Sequence, residues 1–329
     1  MNRSLKMVQR KSVGAENGAK IAIGLHAQTL ARDDGFIAGS EITTLYLKKA
    51  FEKRTDVKLA FRVGPHNYRE LKQDALNLFI IEGWHERIKD TIQFVRDNYP
   101  DAKILFWVLS FWGLEETLHL DIDGYMTNSQ KLVQMLSKIK PTQHVMLAAD
   151  PDDFNPLTVS SRYAYNVTYL GMYHPSKSQS IMDKILGEAI GFGLVIYGCH
   201  WDHHPFYRQC WEGVLPRGDI SYLYASSKVV LAMTETRQRI AGMINNRIFE
   251  ALSCGACVIS EYYPELEECF GDVITCVRQS GDTKNALIRL IEDDDYRYHM
   301  GQKGRNLIEK RHTYDHRVEK IIDFYRSLT

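Results

Sequence analysis

Short apolar runs alternate with amphipathic stretches along most of this chain. A run of strand length at 21–26 (IAIGLH) is followed by a loop containing Gly and Asp at 31–40 and a helical pattern over 41–53. Apolar runs at 76–81 and 104–109 bracket a helix over 87–98, and shorter strands at 125–127 and 145–147 flank a helix over 129–138. Such alternation predicts layered α/β structure with parallel sheets. Residues 150–161 (DPDDFNPLTVSS) break the pattern with two prolines and several turn formers, as a linker does. A second series follows, with strands at 166–170, 194–197, 229–233 and 257–259, and helices at 178–187, 221–226 and 246–253. Helices at 283–292, 295–310 and 314–327 end the chain. The expected domains are 20–155 and 160–312, behind a disordered tail at 1–19.

Composition narrows the class. A chain of 329 residues supports about two domains of ordinary size, and its 44% hydrophobic content fills two cores. Lys plus Arg equals Asp plus Glu at 41 each, so no global field draws the protein to nucleic acid or anionic lipid. The longest apolar run, 104–114, is interrupted by Ser110 and Gly113 and is far shorter than the roughly 20 residues that span a bilayer. No apolar signal core appears in the first 20 residues, so a cytoplasmic location without membrane insertion is expected. Cys254 and Cys257 form a CxxC, but it straddles a helix end and the next strand, so both cysteines read as packing residues.

The most informative stretch is 242–260 (GMINNRIFEALSCGACVIS). It reads as a loop, a short helix from Asn246, a stop at Gly255 and a buried strand. The helix N-terminus carries Asn246 and Arg247, so free backbone N–H groups, a favourable dipole end and a guanidinium can meet one anion. Glu250 lies one turn further in, near the same end. A diphosphate on the helix end and ribose hydroxyls on the acid would fit; an ordinary surface Arg–Glu pair behind an N-cap is the plain alternative.

The run from Ser226 to Tyr325, with RIFEALSCG, the strand after it, YYPEL and the late HTYDHR, resembles the C-terminal half of the CgeB-like (spore-protein) glycosyltransferases. Weaker echoes stand upstream at 128–132 (NSQKL), 148–156, 168–175 and 196–201. The resemblance implies a GT-B architecture: two facing Rossmann-like, doubly wound domains with an interdomain cleft, and helix 314–327 packed back on the first. It implies a sugar transferred from a nucleotide-sugar donor, UDP-linked by default, with retention of configuration. It gives Glu250 the ribose. Gly171 and Lys177, after the first strand of the second domain, would lie near the donor phosphates, with an exposed helix-cap lysine as the other reading of Lys177. One departure stands out: where related retaining enzymes carry a first, sugar-binding glutamate, this chain has Gly242.

Ligands of doubly wound domains collect at the carboxyl ends of the strands, which adds further candidates. Gly198 and Trp201 follow a strand and are placed at the nucleotide. Arg237 and Arg239 lie in the loop before the 246–253 helix, with at least one expected at the diphosphate. With Arg247 and the helix dipole neutralising the leaving group, neither a cofactor nor a metal is expected. The DxD at Asp121 and Asp123 and the Cys199–His204 cluster are set aside as metal sites, the first because it lies away from the donor half, the second because its residues are consecutive on a loop. On the acceptor side, Asp34 in the 28–40 loop and His85 in the segment Glu82 to Glu86 are candidates to take a proton, while a structural histidine capping the next helix is the other reading of His85. Phe111 and Trp112 can stack on a sugar or base, or simply fill the core. The acceptor stays open between a saccharide, a protein and a nucleic-acid base. Two other readings of the chain also stay open: a sugar-nucleotide epimerase of the same fold, and a noncatalytic nucleotide- or sugar-binding module.

Overall fold

The computed structural model describes residues 20–28, 39–71, 75–175 and 177–329; the proposed tail and Asp34 lie outside them. The first half runs β1 (Ile21–Ala27), α1 (Gly39–Glu52), β2 (Val57–Val63), β3 (Leu78–Glu82), α2 (Ile88–Asn98), β4 (Lys103–Val108), α3 (Leu114–Thr117), β5 (Gly124–Thr127), α4 (Gln130–Leu136) and β6 (Thr142–His144). Its strands form one parallel sheet in the order β2-β1-β3-β4-β5-β6. The second half runs β7 (Val167–Leu170), α5 (Gln179–Ile185), β8 (Leu194–Tyr197), α6 (Ile220–Ser226), β9 (Val229–Ala232), α7 (Thr236–Ile240), α8 (Asn246–Ser253), β10 (Cys257–Glu261), α9 (Pro264–Phe270), β11 (Thr275–Val277), α10 (Asp282–Glu292), α11 (Asp294–Arg311) and α12 (Tyr314–Ser327). Its sheet is also parallel, in the order β11-β10-β9-β7-β8.

Both sheets reverse direction of growth once. In the first, the chain goes from β1 outward to β2 and returns to β3 on the other side of β1; in the second, it goes from β7 to β8 and returns to β9. These reversals leave a crevice at the carboxyl ends of β1 and β3 and another at those of β7 and β9, where open α/β sheets take ligands.

Several elements differ from the sequence pattern. Strand β2 at the sheet edge shows no clear apolar run, because Lys58, which is exposed, and Arg62, which donates to the Glu41 carbonyl of α1, interrupt it. Strand β6 pairs through Thr142–His144 rather than 145–147. The apolar residues Val145 and Leu147 are buried for a different reason: they belong to the core between the halves, and the Leu147 carbonyl is taken by Arg317 instead of a ladder. Helices α7 and α9 and strand β11 are too short to show a period.

One hydrophobic core crosses from the first sheet to the second. It joins Ile23, Leu25 and Trp107 to Val230, Phe249 and Ile321. Helix α12 closes it: Tyr314 packs beside Tyr46 of α1 with ring centroids 5.4 Å apart. Arg317 of α12 is 2% exposed. Its guanidinium donates to the carbonyls of Met146 (2.8 Å), Leu147 (2.8 Å) and Arg311 (2.9 Å), and lies 2.9 Å from His312 Nδ1. Burial pulls Arg317 down to about 10, so it keeps its charge at neutral pH. Burial and Arg317 together push His312 down to about 3, leaving a neutral ring to accept.

Arg317→Ala leaves these buried carbonyls without a donor, and a loss of about 3 kcal/mol or more is expected in denaturant titration. A loss under about 1 kcal/mol would show that the clamp is not structural.

Candidate functional site

Two cavities open at the carboxyl ends of the strands and meet at Gly39 and Asn246. The first, about 250 Å³, lies between the halves and is walled by Gln28, Glu82 and Ser110 from one side and Gln238, Met243 and Asn245 from the other. The second, about 290 Å³, lies mainly in the second half, against Gly171, Gly198, Arg217, Tyr224, Arg247 and Glu250.

Helix α8 organises the second cavity. Asn245 is its N-cap residue, yet its side chain makes no cap bond and instead donates to the Thr234 hydroxyl at 3.1 Å. The first-turn N–H groups are therefore not consumed by a side-chain cap. One turn in, Glu250 is 5% exposed and accepts from Asn246 Nδ2 at 2.8 Å. Burial raises its carboxyl to about 7, against the opposing pull of Asn246 and Arg247. A buried carboxylate with one oxygen committed can still accept from a vicinal diol.

Arg247 donates to the Met233 carbonyl at 3.3 Å and sits over the Tyr169 ring, 5.0 Å from its centroid. Its Nε is buried without a partner. Lys177 shares the same ring at 5.3 Å and donates to the Tyr169 hydroxyl at 2.7 Å. Although burial opposes it, these two cations pull the Tyr169 phenol below its ordinary value. Arg217, which the sequence reading missed, joins Arg247 in the wall, whereas Lys177 is held on Tyr169 and is not a wall residue.

Glycines permit the close approach of the loops. A Cβ on Gly198, at φ +134, would lie 2.3 Å from the Gly171 carbonyl, and one on Gly171 would lie 2.5 Å from Arg247 Nη2. Two indoles fix these turns: Trp201 Nε1 donates to the Gly171 carbonyl at 2.6 Å and Trp211 Nε1 to the Gly198 carbonyl at 2.7 Å. This corrects one expectation. Trp201 is fully buried in the second sheet's core, so it shapes the turn and does not present a ring to a ligand.

Other expectations also change. Arg237 is exposed on α7, and Arg239 borders a separate pocket beside Glu261 and Arg278; neither walls the two cavities. The short helix turns Gln238 inward instead, toward the Leu109 carbonyl at 3.4 Å. His85 caps the turn into α2, its Nδ1 accepting from Arg87 N at 3.2 Å, with its ring stacked on His26 at 4.6 Å. Burial lowers it to about 4. Three residues earlier, Glu82 walls the first cavity with its Oε2 buried and unpartnered, and burial raises it to about 8.

The position of the missing first glutamate is also explained. Gly242 has φ +73, and a Cβ there would lie 2.4 Å from Glu265 Cδ. Glu265, paired with Lys131 at 2.6 Å, fills the space a side chain would take. Asp121 and Asp123 both face Arg96 at 3.0 Å, which accounts for the DxD as an ion-pair cluster. His204 is buried, accepting from Phe206 N and Tyr207 N at 3.2 and 3.1 Å. Cys254 and Cys257 are free and buried. Among the described residues no helix is long and apolar enough to cross a membrane.

Residues 177–323 match the model of a family described as glycosyl transferase-like. Solved structures share the whole architecture at low identity. The DNA-modifying enzyme β-glucosyltransferase matches with a TM-score of 0.67 and 12% identity, covering 94% of this chain and 99% of that one. HepE of Anabaena, solved in complex with UDP and glucose, matches at 0.63 and 12% over 93% of this chain and 100% of its own. Sucrose-phosphate synthase of Thermosynechococcus elongatus matches at 0.63 and 12%, over 94% and 99%. The chain is a glycosyltransferase of GT-B architecture. No protein of curated function matches this glycosyltransferase by sequence.

In the glycosyltransferase, a Cβ on Gly171 would lie 2.5 Å from Arg247 Nη2 and 2.8 Å from the buried Tyr169 hydroxyl, so Gly171→Ala is expected to displace both side chains. Nucleotide affinity should fall at least fivefold by calorimetry, with about 1 to 3 kcal/mol lost in unfolding free energy as the Tyr169 ring gives way. Unchanged affinity would detach Arg247 from the ligand.

Proposed function

We propose that this glycosyltransferase takes a UDP-sugar in the α8 cavity and passes the sugar to an acceptor hydroxyl in the cavity beside Glu82. The observation that carries the donor half is the convergence of Arg247 and the α8 N-terminus at the β7–β9 crevice, with Lys177 beside Arg247 on the shared Tyr169 ring and buried Glu250 one turn beyond. Diphosphate lies against the cations and the helix end, and the ribose diol donates to Glu250. Arg217 adds charge at the far wall. Together these neutralise the departing diphosphate without a divalent ion. The resemblance to CgeB-like enzymes supports the same placement of Glu250.

Arg247→Ala should weaken UDP binding by about 1.5 to 3 kcal/mol. Calorimetry in buffer with EDTA checks both points. Unchanged affinity would refute the phosphate contact, and wild-type binding that requires added magnesium would refute metal independence.

Glu82 is the group placed to receive the acceptor proton. Desolvation disfavours its anion, so the carboxyl is mostly neutral at pH 7 and becomes a base as pH rises through about 8. The acceptor oxygen attacks the anomeric carbon, the bond to the diphosphate breaks, and the proton passes to Glu82. A single displacement of this kind inverts the anomeric centre, in contrast to the retention implied by the resemblance. The turnover of the wild type should therefore climb to about pH 8 and level off, and Glu82→Gln should abolish transfer while UDP still binds. Transfer by Glu82→Gln with an unaltered pH profile would exclude this role.

A further inference from the structure

Beside the first cavity, two indoles stand where nothing in the donor chemistry needs them. Trp84 follows Glu82 and Gly83 out of β3, and Trp112 follows Ser110 and Phe111 out of β4; Glu82, Gly83 and Ser110 all wall the cavity. The two rings touch, with centroids 5.7 Å apart and planes inclined at 57°. Trp84 is half-buried against the first sheet's outer core, whereas Trp112 is 66% exposed. A large aromatic left in water beside a cavity marks a surface built for contact.

The loop is shaped around this pair. Gly113 has φ +67, and a Cβ there would fall 2.2 Å from Trp84 Cγ. Only glycine lets the chain pass so close beneath the indole while Trp112 turns outward.

The charges around the pair select the kind of ligand. Glu86 on the first loop and Glu115 and Glu116 on α3, which follows the second, are exposed, and Glu82 lies in the cavity. Arg87, next to Glu86, lies over the Tyr68 ring at 5.8 Å. Platforms for nucleic acid join aromatics to cations that track phosphates; here aromatics are joined to acids. An uncharged pyranose suits this surface, because its C–H face is apolar and its hydroxyls can donate to carboxylates.

We propose that the Trp84–Trp112 pair is the acceptor subsite and that its occupant is an uncharged saccharide. The proposal rests on the assignment of the Glu82 cavity to the acceptor.

The test is retention on an array of neutral oligosaccharides in the presence of UDP, with single-stranded and duplex DNA as comparison arms and UDP affinity measured separately. The full chain should retain at least one neutral glycan. Trp112→Ala should lose that signal at least tenfold with UDP affinity within twofold of wild type, and Trp112→Phe should recover most of it. Because Trp112 is largely exposed, its removal leaves the core intact. Equal glycan retention by Trp112→Ala would overturn the proposal, as would an array with no retained glycan or salt-sensitive DNA binding without glycan binding. Failure of the wild type to bind UDP would instead count against the donor assignment, and is read in a separate measurement.

Discussion

The geometry of the cleft depends on a buried guanidinium. Arg317 reaches from the last helix to the carbonyls of Met146 and Leu147, where the chain leaves the first sheet for the second. A charge in such a place is costly unless its donors are satisfied, and here neutral acceptors satisfy them from several directions. The consequence is positional. The strap at 145–149 cannot shift without stranding either the arginine or the carbonyls, so the β1–β3 and β7–β9 crevices hold their relation. The second link is the N-terminal end of α4: Asn128 Nδ2 donates to the Ile244 carbonyl at 3.0 Å, Ser129 Oγ to that of Ala241 at 2.5 Å, and Lys131 Nζ to that of Ile240 at 2.9 Å. The first half thereby grips the loop that delivers α8.

Much of the second half was legible because its signals are local. The α8 segment announces itself by a helix start, a glycine stop and a buried strand within twenty residues, and Arg247 and Glu250 are placed by helical spacing alone. The failures share a physical cause. Trp201, Arg237 and Arg239 were assigned from being on the right loop, but loop position does not fix direction. Whether an indole faces ligand or core depends on a carbonyl thirty residues away, as with Trp201 and Gly171. Arg217 and Tyr224 were invisible for the same reason: they reach the cavity through tertiary packing that no local period encodes. The apolar run at 145–147 misled in the opposite sense, since its hydrophobicity serves a core between sheets and not a strand.

The glycines of the donor site show a division of labour. Gly171 and Gly198 let two strand-exit loops touch, and each of their carbonyls is fixed by a tryptophan from below. The apolar core of the second sheet therefore ends in two directed hydrogen bonds that set the floor of the cavity. Gly242 serves a different purpose: it leaves space for the Glu265 side chain. The absence of an acid at 242 is thus built into the backbone and could not be repaired by a simple substitution, because both the positive φ and the neighbouring carboxylate oppose it.

The core that runs without a break from Ile23 to Phe249 and Ile321 has a kinetic corollary. Jaws that part fully would have to wet that apolar seam, at about 25 cal/mol for each Å² uncovered. The seam thus acts as a latch, making a full parting of the two sheets an uphill motion.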